Sequence, residues 1–318
     1  MKKHCCVLCL LLLCSCAPGA ENPTTKTLFA MDTSVTLSCY GANSAACIQD
    51  CEEKLFELDT ALNLYDENSS IYRLNNSGGD WCALDDAAFS ALAYAVEYAS
   101  LTSGAFDPSI GSILLAWDDF SGNVVPSDAD QRSAALLCDY TKIELDRDNN
   151  SVRLGEGQRI ALGGIGKGFA ADCLNAIYQS HGCTGVINLG GNIYAVGAKP
   201  EGSKWRIGIQ SPFDRNELIC ELSLSSVSIV TSGAYERGFY QDGVYYHHIF
   251  DPATGAPANS DLASVSIIHE SSCFADAIST AVFVMGYDKG LSFLTDNGIS
   301  AVLVKTDGTI TEVLLETP

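Results

Sequence analysis

Arg159-Ile160-Ala161-Leu162-Gly163-Gly164-Ile165-Gly166-Lys167-Gly168-Phe169-Ala170-Ala171-Asp172 is the stretch on which the reading of this chain turns. A short apolar run, Ile160 to Leu162, opens into four glycines and one lysine, followed by apolar residues at helical spacing, Ala170, Leu174 and Ile177. The pattern predicts a strand, a tight turn and a helix start. Glycine has no Cβ to hold a ligand off, and a helix start presents unpaired N–H groups, so such a turn suits an anion. Lys167 would add a point charge; the plainer alternative is a turn with a solvated lysine. A Walker A loop is excluded, because Ala161 and Gly168 stand where it requires a glycine and a hydroxyl. Gly166, Gly168 and Ala171 satisfy a degenerate dinucleotide pattern, but the next strand runs into Asn188 instead of the acidic residue that pattern requires.

On the N-terminal side, Thr27 to Tyr40 reads as a strand interrupted near Met31-Asp32-Thr33. Ile48, Cys51, Leu55, Leu58 and Leu62 give a helix with one buried stripe, capped by Asn43 or Ser44. A polar turn from Tyr65 to Ser70 follows, then helices from about Asp85 to Leu101 and from Ser127 or Asp128 to about Leu137, and a hairpin spanning 142–154. On the C-terminal side the helix reaches His181, Gly185–Leu189 and Trp205–Ile209 are strands, and strands dominate through Thr231. A strand at 263–268, a helix near Phe274–Met285 and a hairpin turning at Asp307-Gly308 close the chain. Two phrases recur, TSGA at 102 and 231 and FDPxxG at 106 and 250, with unequal spacing. They read as two good ways to build a rigid loop and not as a duplication.

The 318 residues can bury a large core, and a net charge of -21 argues against nucleic acid as a partner. Met1-Lys2-Lys3-His4 is a basic head before an apolar run, Cys5 to Cys14, too short to span a bilayer. Leu13-Cys14-Ser15-Cys16 resembles a lipobox, which would make Cys16 the lipidated first residue of the mature protein on the outer side of the cell membrane. The alternatives are a secretory signal cut near Ala17 to Ala20 and an uncleaved anchor. The expected organisation is a signal at 1–16, a flexible tether at 17–25 and one α/β domain of α+β type, with mixed sheets and surrounding helices, at 26–318. Nine of the 14 cysteines lie beyond the signal; nine is odd, and none of them forms a CxxC pair.

Asp276 and Thr280 lie four apart, on one face of the last long helix. A carboxylate and a hydroxyl so placed suit a hard cation such as Mg2+, the bland alternative being a helix-start cap. Of the adjacent His247 and His248, one faces the core of a strand-bearing fold and the other faces outward. A neutral imidazole beside an anion site can take a proton from a hydroxyl; a satisfied structural histidine is the alternative for either.

MDTSVTL at 31–37, YDENSSIYRLN at 65–75, FDPSIGSILLAW at 106–117, LGGIGKGFAAD at 162–172, INLGGNIYAVG at 187–197, WRIGIQSP at 205–212, TSGAYER at 231–237, HHIFDPATGAP at 247–257 and ADAISTAVFVMG at 275–286 together resemble the ApbE-like family of FAD:protein FMN transferases. The resemblance implies an enzyme that splits FAD at its pyrophosphate and links FMN to a threonine hydroxyl of an exported carrier protein, releasing AMP. It implies that Lys167 lies by the phosphates and that Met31, Tyr65, Asp107, Thr231, Ser232 and Gly233 line the FAD pocket. It further implies that Asp276, Thr280 and the Ala161 carbonyl hold Mg2+, that His248 is the general base, and that Asp251 shapes its loop or orients the histidine beside the cofactor. Asp32 stands where the family usually has glycine, Ala161 and Ala234 where it often has aspartate, and Gly166 where it often has alanine. An aromatic near Tyr65 is associated in the family with retaining FAD, and a small polar residue with hydrolysing it. The alternatives are an FAD pyrophosphatase giving FMN and AMP, and a non-catalytic flavin-binding lipoprotein.

Overall fold

A computed structural model describes residues 22–118 and 122–313. The expected signal, Cys16 and most of the tether lie outside the described residues. Strand β1 (Thr24–Ala30) begins inside the stretch expected to be tether and pairs antiparallel with β2 (Thr33–Tyr40) across the two-residue turn Met31-Asp32. The interruption read at Met31 is therefore a hairpin. Helix α1 (Ser44–Leu62) buries the predicted stripe, while Asn43 at its N-cap makes no side-chain cap and donates instead to the His181 carbonyl at 3.1 Å. The polar turn at 65–70 runs into α2 (Ser70–Asn75), capped by Ser69. After β3 (Cys82–Ala83), α3 (Asp86–Leu101) is capped by Asp85. Helix α4 (Gly111–Ala116), six residues long, carries too short a pattern to have been foreseen. Helix α5 (Asp128–Ala135) has Ser127 as its cap, and β4 (Glu144–Asp146) and β5 (Ser151–Arg153) form the expected hairpin with β3 alongside.

The remaining elements are α6 (Gly166–Ser180), β6 (Thr184–Leu189), β7 (Asn192–Val196), β8 (Trp205–Gln210), β9 (Leu218–Leu224), β10 (Val227–Gly233), β11 (Gly238–Gln241), β12 (Val244–His247), β13 (Leu262–His269), α7 (Ser272–Met285), α8 (Tyr287–Asp296), β14 (Ser300–Lys305) and β15 (Ile310–Val313). Eight strands form one sheet in the order β1-β2-β6-β7-β10-β13-β14-β15, antiparallel at every ladder. Helices α1, α6 and α7 cover one face, with α3 packed on α1 and α7. Trp205, Ile207, Ile209 and Leu224 of the β8–β9 ribbon bury the other face against Ile229, Ile268 and Val302. Strand β13, with covering on both sides, is buried along its whole length up to His269, whereas β6 alternates. None of the helices in the described residues is long and apolar enough to cross a membrane.

The expected strand at Ile160–Leu162 does not form. Its backbone is held by the end of α2 and a loop instead: Ile160 N–H donates to Asn75 Oδ1 (2.6 Å), Asn75 Nδ2 returns a bond to the Ile160 carbonyl (2.8 Å), and Ala161 N–H donates to the Pro108 carbonyl (2.9 Å). With both polar groups of Ile160 and the Ala161 N–H satisfied this way, the buried run forms without a neighbouring strand.

Candidate functional site

A cleft of about 750 Å³ opens between the β1–β2 turn, the glycine stretch before α6, the start of α7 and the segment after β12. Its lining includes Met31, Tyr65, Asp107, Ala161, Lys167, Thr231, Ser232, Gly233, His248, Asp276 and Thr280, so these eleven predicted residues, scattered over the sequence, meet in one place. Asp251 is the exception: its neighbour Pro252 lines the cleft and it does not.

The floor is the crossing of α6 and α7. Gly168 N–H, in the first turn of α6, donates to Asp276 Oδ2 at 2.9 Å. Asp276 is therefore not a cap of its own helix, which Ser271 caps; it caps the neighbouring one. Part of the anion expected at this glycine turn is thus the protein's own carboxylate. Asp172 of α6 reciprocates by accepting from Ser272 N–H (2.7 Å), Cys273 N–H (3.0 Å) and Ser271 Oγ (2.8 Å) at the start of α7. Sequence reading missed this role, whose only signal was an acid at the end of the glycine motif. Asp276 is 4% exposed, and Gly168 N–H is its one side-chain hydrogen-bond partner among the described residues, so its second oxygen has lone pairs available. Thr280 Oγ1 lies 3.3 Å from Ser232 Oγ and 3.6 Å from the point where a Cβ on Gly164 would stand. The Ala161 carbonyl accepts no hydrogen bond among the described residues. A carboxylate oxygen, a hydroxyl and an orphaned carbonyl form the oxygen-only donor set that a small hard cation takes.

His247 and His248 divide as their alternation on a strand end demands. His247 has both nitrogens engaged, Nε2 donating to the Ala258 carbonyl (3.1 Å) and Nδ1 accepting from Ile249 N–H (3.3 Å), with its ring edge-on to Phe283. It is the structural histidine. His248 Nδ1 sits 3.1 Å from the Arg237 carbonyl, and only a protonated Nδ1 can bond a carbonyl. The neutral ring therefore carries its lone pair on Nε2, the arrangement of a base. Burial disfavours the imidazolium, the charges of Lys167, His247 and Arg237 add to that, the Arg237 carbonyl opposes it, and the pKa falls to about 4. Lys167 is half-buried on the same wall, its Nζ 3.5 Å from the Gly163 carbonyl.

The two FDP phrases do the same local work. Asp107 Oδ1 accepts from Ser109 N–H (2.8 Å), and Asp251 Oδ1 accepts from Ala253 N–H (2.9 Å), each closing a turn two residues on. Asp107 also accepts from Ser109 Oγ and Tyr140 N–H, so its carboxylate fixes the loop beside the cleft and does not project freely into it. Burial still pushes this carboxyl up, with those hydrogen bonds opposing. In the β1–β2 turn, Met31 (φ 52°) and Asp32 (φ 57°) are both left-handed, which explains why glycine suits position 32. Beneath the turn, Asp59 has a raised pKa from burial, opposed by a hydrogen bond from the Met31 backbone and reinforced by Asp32. Tyr65 stands at the mouth, 61% exposed. Asn192 of β7 is a wall residue not singled out from sequence: it is buried, and its Nδ2 has no hydrogen-bond partner among the described residues.

The ApbE family profile matches residues 31–303. The FAD:protein FMN transferase of Treponema pallidum (strain Nichols) is 33% identical over 291 residues, covering 84% of this chain and 80% of its own. Among solved structures, the ApbE protein of Thermotoga maritima superposes with a TM-score of 0.87 at 34% identity, over 92% of this chain and 97% of its own. The flavin transferase ApbE of Vibrio cholerae superposes with a TM-score of 0.82 at 25% identity, over 92% and 97%. With the profile spanning the hairpin, the glycine stretch and the α7 acid that together build the cleft, this chain belongs to the ApbE family.

Proposed function

We propose that the protein transfers FMN from FAD to a threonine hydroxyl of an exported acceptor flavoprotein, with Mg2+ and with release of AMP, while a lipid on Cys16 holds it on the outer side of the cell membrane. The observation that carries the reading is the union, in one cleft, of a tautomer-fixed neutral base (His248), a cation (Lys167) and an oxygen donor set (Asp276, Thr280 and the Ala161 carbonyl). Support for the flavin chemistry comes from relatives named FAD:protein FMN transferase. The cleft has the size usual for organic ligands.

The reaction is a phosphoryl-type displacement. His248 Nε2 takes the proton of the acceptor hydroxyl as its oxygen forms a bond to the FMN phosphorus. The bond from that phosphorus to the bridging oxygen breaks, and AMP leaves with that oxygen. Lys167 offsets phosphate charge as a point cation. Asp276, Thr280 and the Ala161 carbonyl would hold Mg2+, which when bound neutralises phosphate charge. Tyr65 lines the cleft with an exposed aromatic ring, and the Arg237 carbonyl keeps His248 in its basic tautomer. Incubation with FAD, Mg2+ and a threonine-bearing carrier domain tests the reading: the carrier should gain one FMN as AMP appears. Free FMN with an unmodified carrier would favour a pyrophosphatase, and intact bound FAD with no AMP would leave a binding protein.

A further inference from the structure

Behind α1, on the side of the sheet it covers, lies a group of side chains that the cleft does not use. Cys39 of β2, Cys47 of α1 and Cys183 between α6 and β6 bring their sulfurs within 4.8 Å of one another, all three buried. Cys51, one helical turn beyond Cys47, borders the Cys47 thiol. None of the four is in a disulfide. Tyr178 of α6 is fully buried, and its phenol oxygen has no hydrogen-bond partner among the described residues. Its ring packs on Gly185, the cross-strand partner of Cys39, where a Cβ would stand 3.0 Å from Tyr178 Cε1, and its carbonyl accepts from Cys183 N–H at 2.9 Å, which sets the phenol in the same buried layer as the thiols.

We infer that Cys39, Cys47 and Cys183 form a binding site for a thiophilic divalent cation of the zinc class, with Cys51 adjacent and Tyr178 donating to a bound thiolate. Metal–sulfur bonds of about 2.3 Å place tetrahedral ligands about 3.8 Å apart, so the observed spacing needs a contraction of at most about 1 Å. Three S–H bonds break, three metal–sulfur bonds form and three protons pass to solvent. A neutral thiol is a poor acceptor for the Tyr178 hydroxyl, whereas a metal-bound thiolate is a good one, which accounts for a buried donor otherwise left unpaired. Such an ion would staple α1, β2 and the end of α6, the elements on which the β1–β2 turn and the glycine stretch rest.

The test is a Co2+ titration of the reduced full chain in mild detergent under anaerobic conditions. One equivalent should give the intense near-ultraviolet thiolate charge-transfer and tetrahedral visible bands, both displaced by Zn2+, and Zn2+ should raise the melting temperature. The double variant Cys39→Ser/Cys183→Ser, which keeps the five cysteines of residues 1–16, should lose those bands. Tyr178→Phe retains every thiol and should bind about tenfold more weakly. Co2+ held by oxygen ligands at Asp276 gives no thiolate band, so the cleft does not interfere. Absence of the thiolate bands in the wild-type chain overturns the site, as does their full retention in the double variant. Unchanged affinity in Tyr178→Phe overturns the part assigned to the phenol.

Discussion

Gly168 N–H and Asp276 Oδ2 meet at 2.9 Å across 108 residues of sequence, joining the first turn of α6 to α7 at the floor of the cleft. The approach requires glycine. A Cβ at 168 would stand 2.3 Å from the Ser272 carbonyl oxygen and 2.7 Å from Asp276 Cβ. Two helices and a carboxylate are thus fixed relative to each other by the absence of a side chain.

Gly168→Ala should therefore force α6 and α7 apart and lower stability by about 2 kcal/mol or more, because backbone cannot yield as a flexible side chain does. Gly166→Ala, whose Cβ would meet the flexible Met31 Cε at 3.4 Å and Leu62 Cδ1 at 3.9 Å, should change it by less than about 0.5 kcal/mol. Urea denaturation of the two variants measures the contrast.

Asp276 has a capping role and, in the proposed reaction, a cation-holding role, and two substitutions separate them. Asp276→Asn keeps an oxygen for Gly168 N–H and should melt near the wild-type temperature while Mg2+-dependent AMP release falls on the order of 100-fold. Asp276→Ala loses both roles, at a further cost of about 1 kcal/mol in stability. Thermal melts and AMP chromatography on the same preparations give both readouts.

The two histidines predict opposite phenotypes. His248→Gln should remove turnover and leave the melting temperature nearly intact. His247→Ala leaves Ile249 N–H without its partner and removes one of the two hydrogen bonds to the Ala258 carbonyl, and should cost about 1 to 3 kcal/mol. Because the His248 pKa falls to about 4 from 6.5, its neutral, basic form persists as pH drops through 6 and is lost only near 4. The acid limb of kcat/KM for the free enzyme should lie correspondingly low. The same shift means that the folded state binds fewer protons than the unfolded chain between those values, so His248 makes stability fall as pH is lowered through that window. A pH–rate profile of the wild type and chemical denaturation across the same range check both signs.

Asp32 combines a left-handed φ with a like-charge neighbour in Asp59. Asp32→Asn tolerates the same backbone, removes the repulsion and should lower the Asp59 pKa, a shift readable by carboxyl NMR. The gain in melting temperature should be present at pH 7 and disappear below the carboxylate range, where neither group is charged. Asp32→Gly additionally relieves backbone strain of about 1 kcal/mol, offset in part by the entropy of glycine in the unfolded chain.

The local pattern was legible because it is written in nearest neighbours along the chain. The stripe from Ile48 to Leu62, the helix start at Ser127 or Asp128, the hairpin at 142–154 and the shared face of Asp276 and Thr280 all follow from spacing alone, and the structure carries each of them. The run Ile160–Leu162 misled because an apolar run reports burial and not who satisfies its backbone; Asn75 and Pro108, distant in sequence, took the place of a strand. Spacing showed that His247 and His248 must face opposite ways, and only the tertiary contacts decided which had both ring nitrogens engaged and which kept an Nε2 lone pair. An unpatterned set of cysteines likewise became a cluster once β2, α1 and α6 were folded together. Sequence by itself determined the elements and the residue types available for chemistry. Tertiary structure decided partners, because a hydrogen bond or a ligand set depends on positions to within a fraction of an ångström, and those are fixed only when segments a hundred residues apart pack on one another.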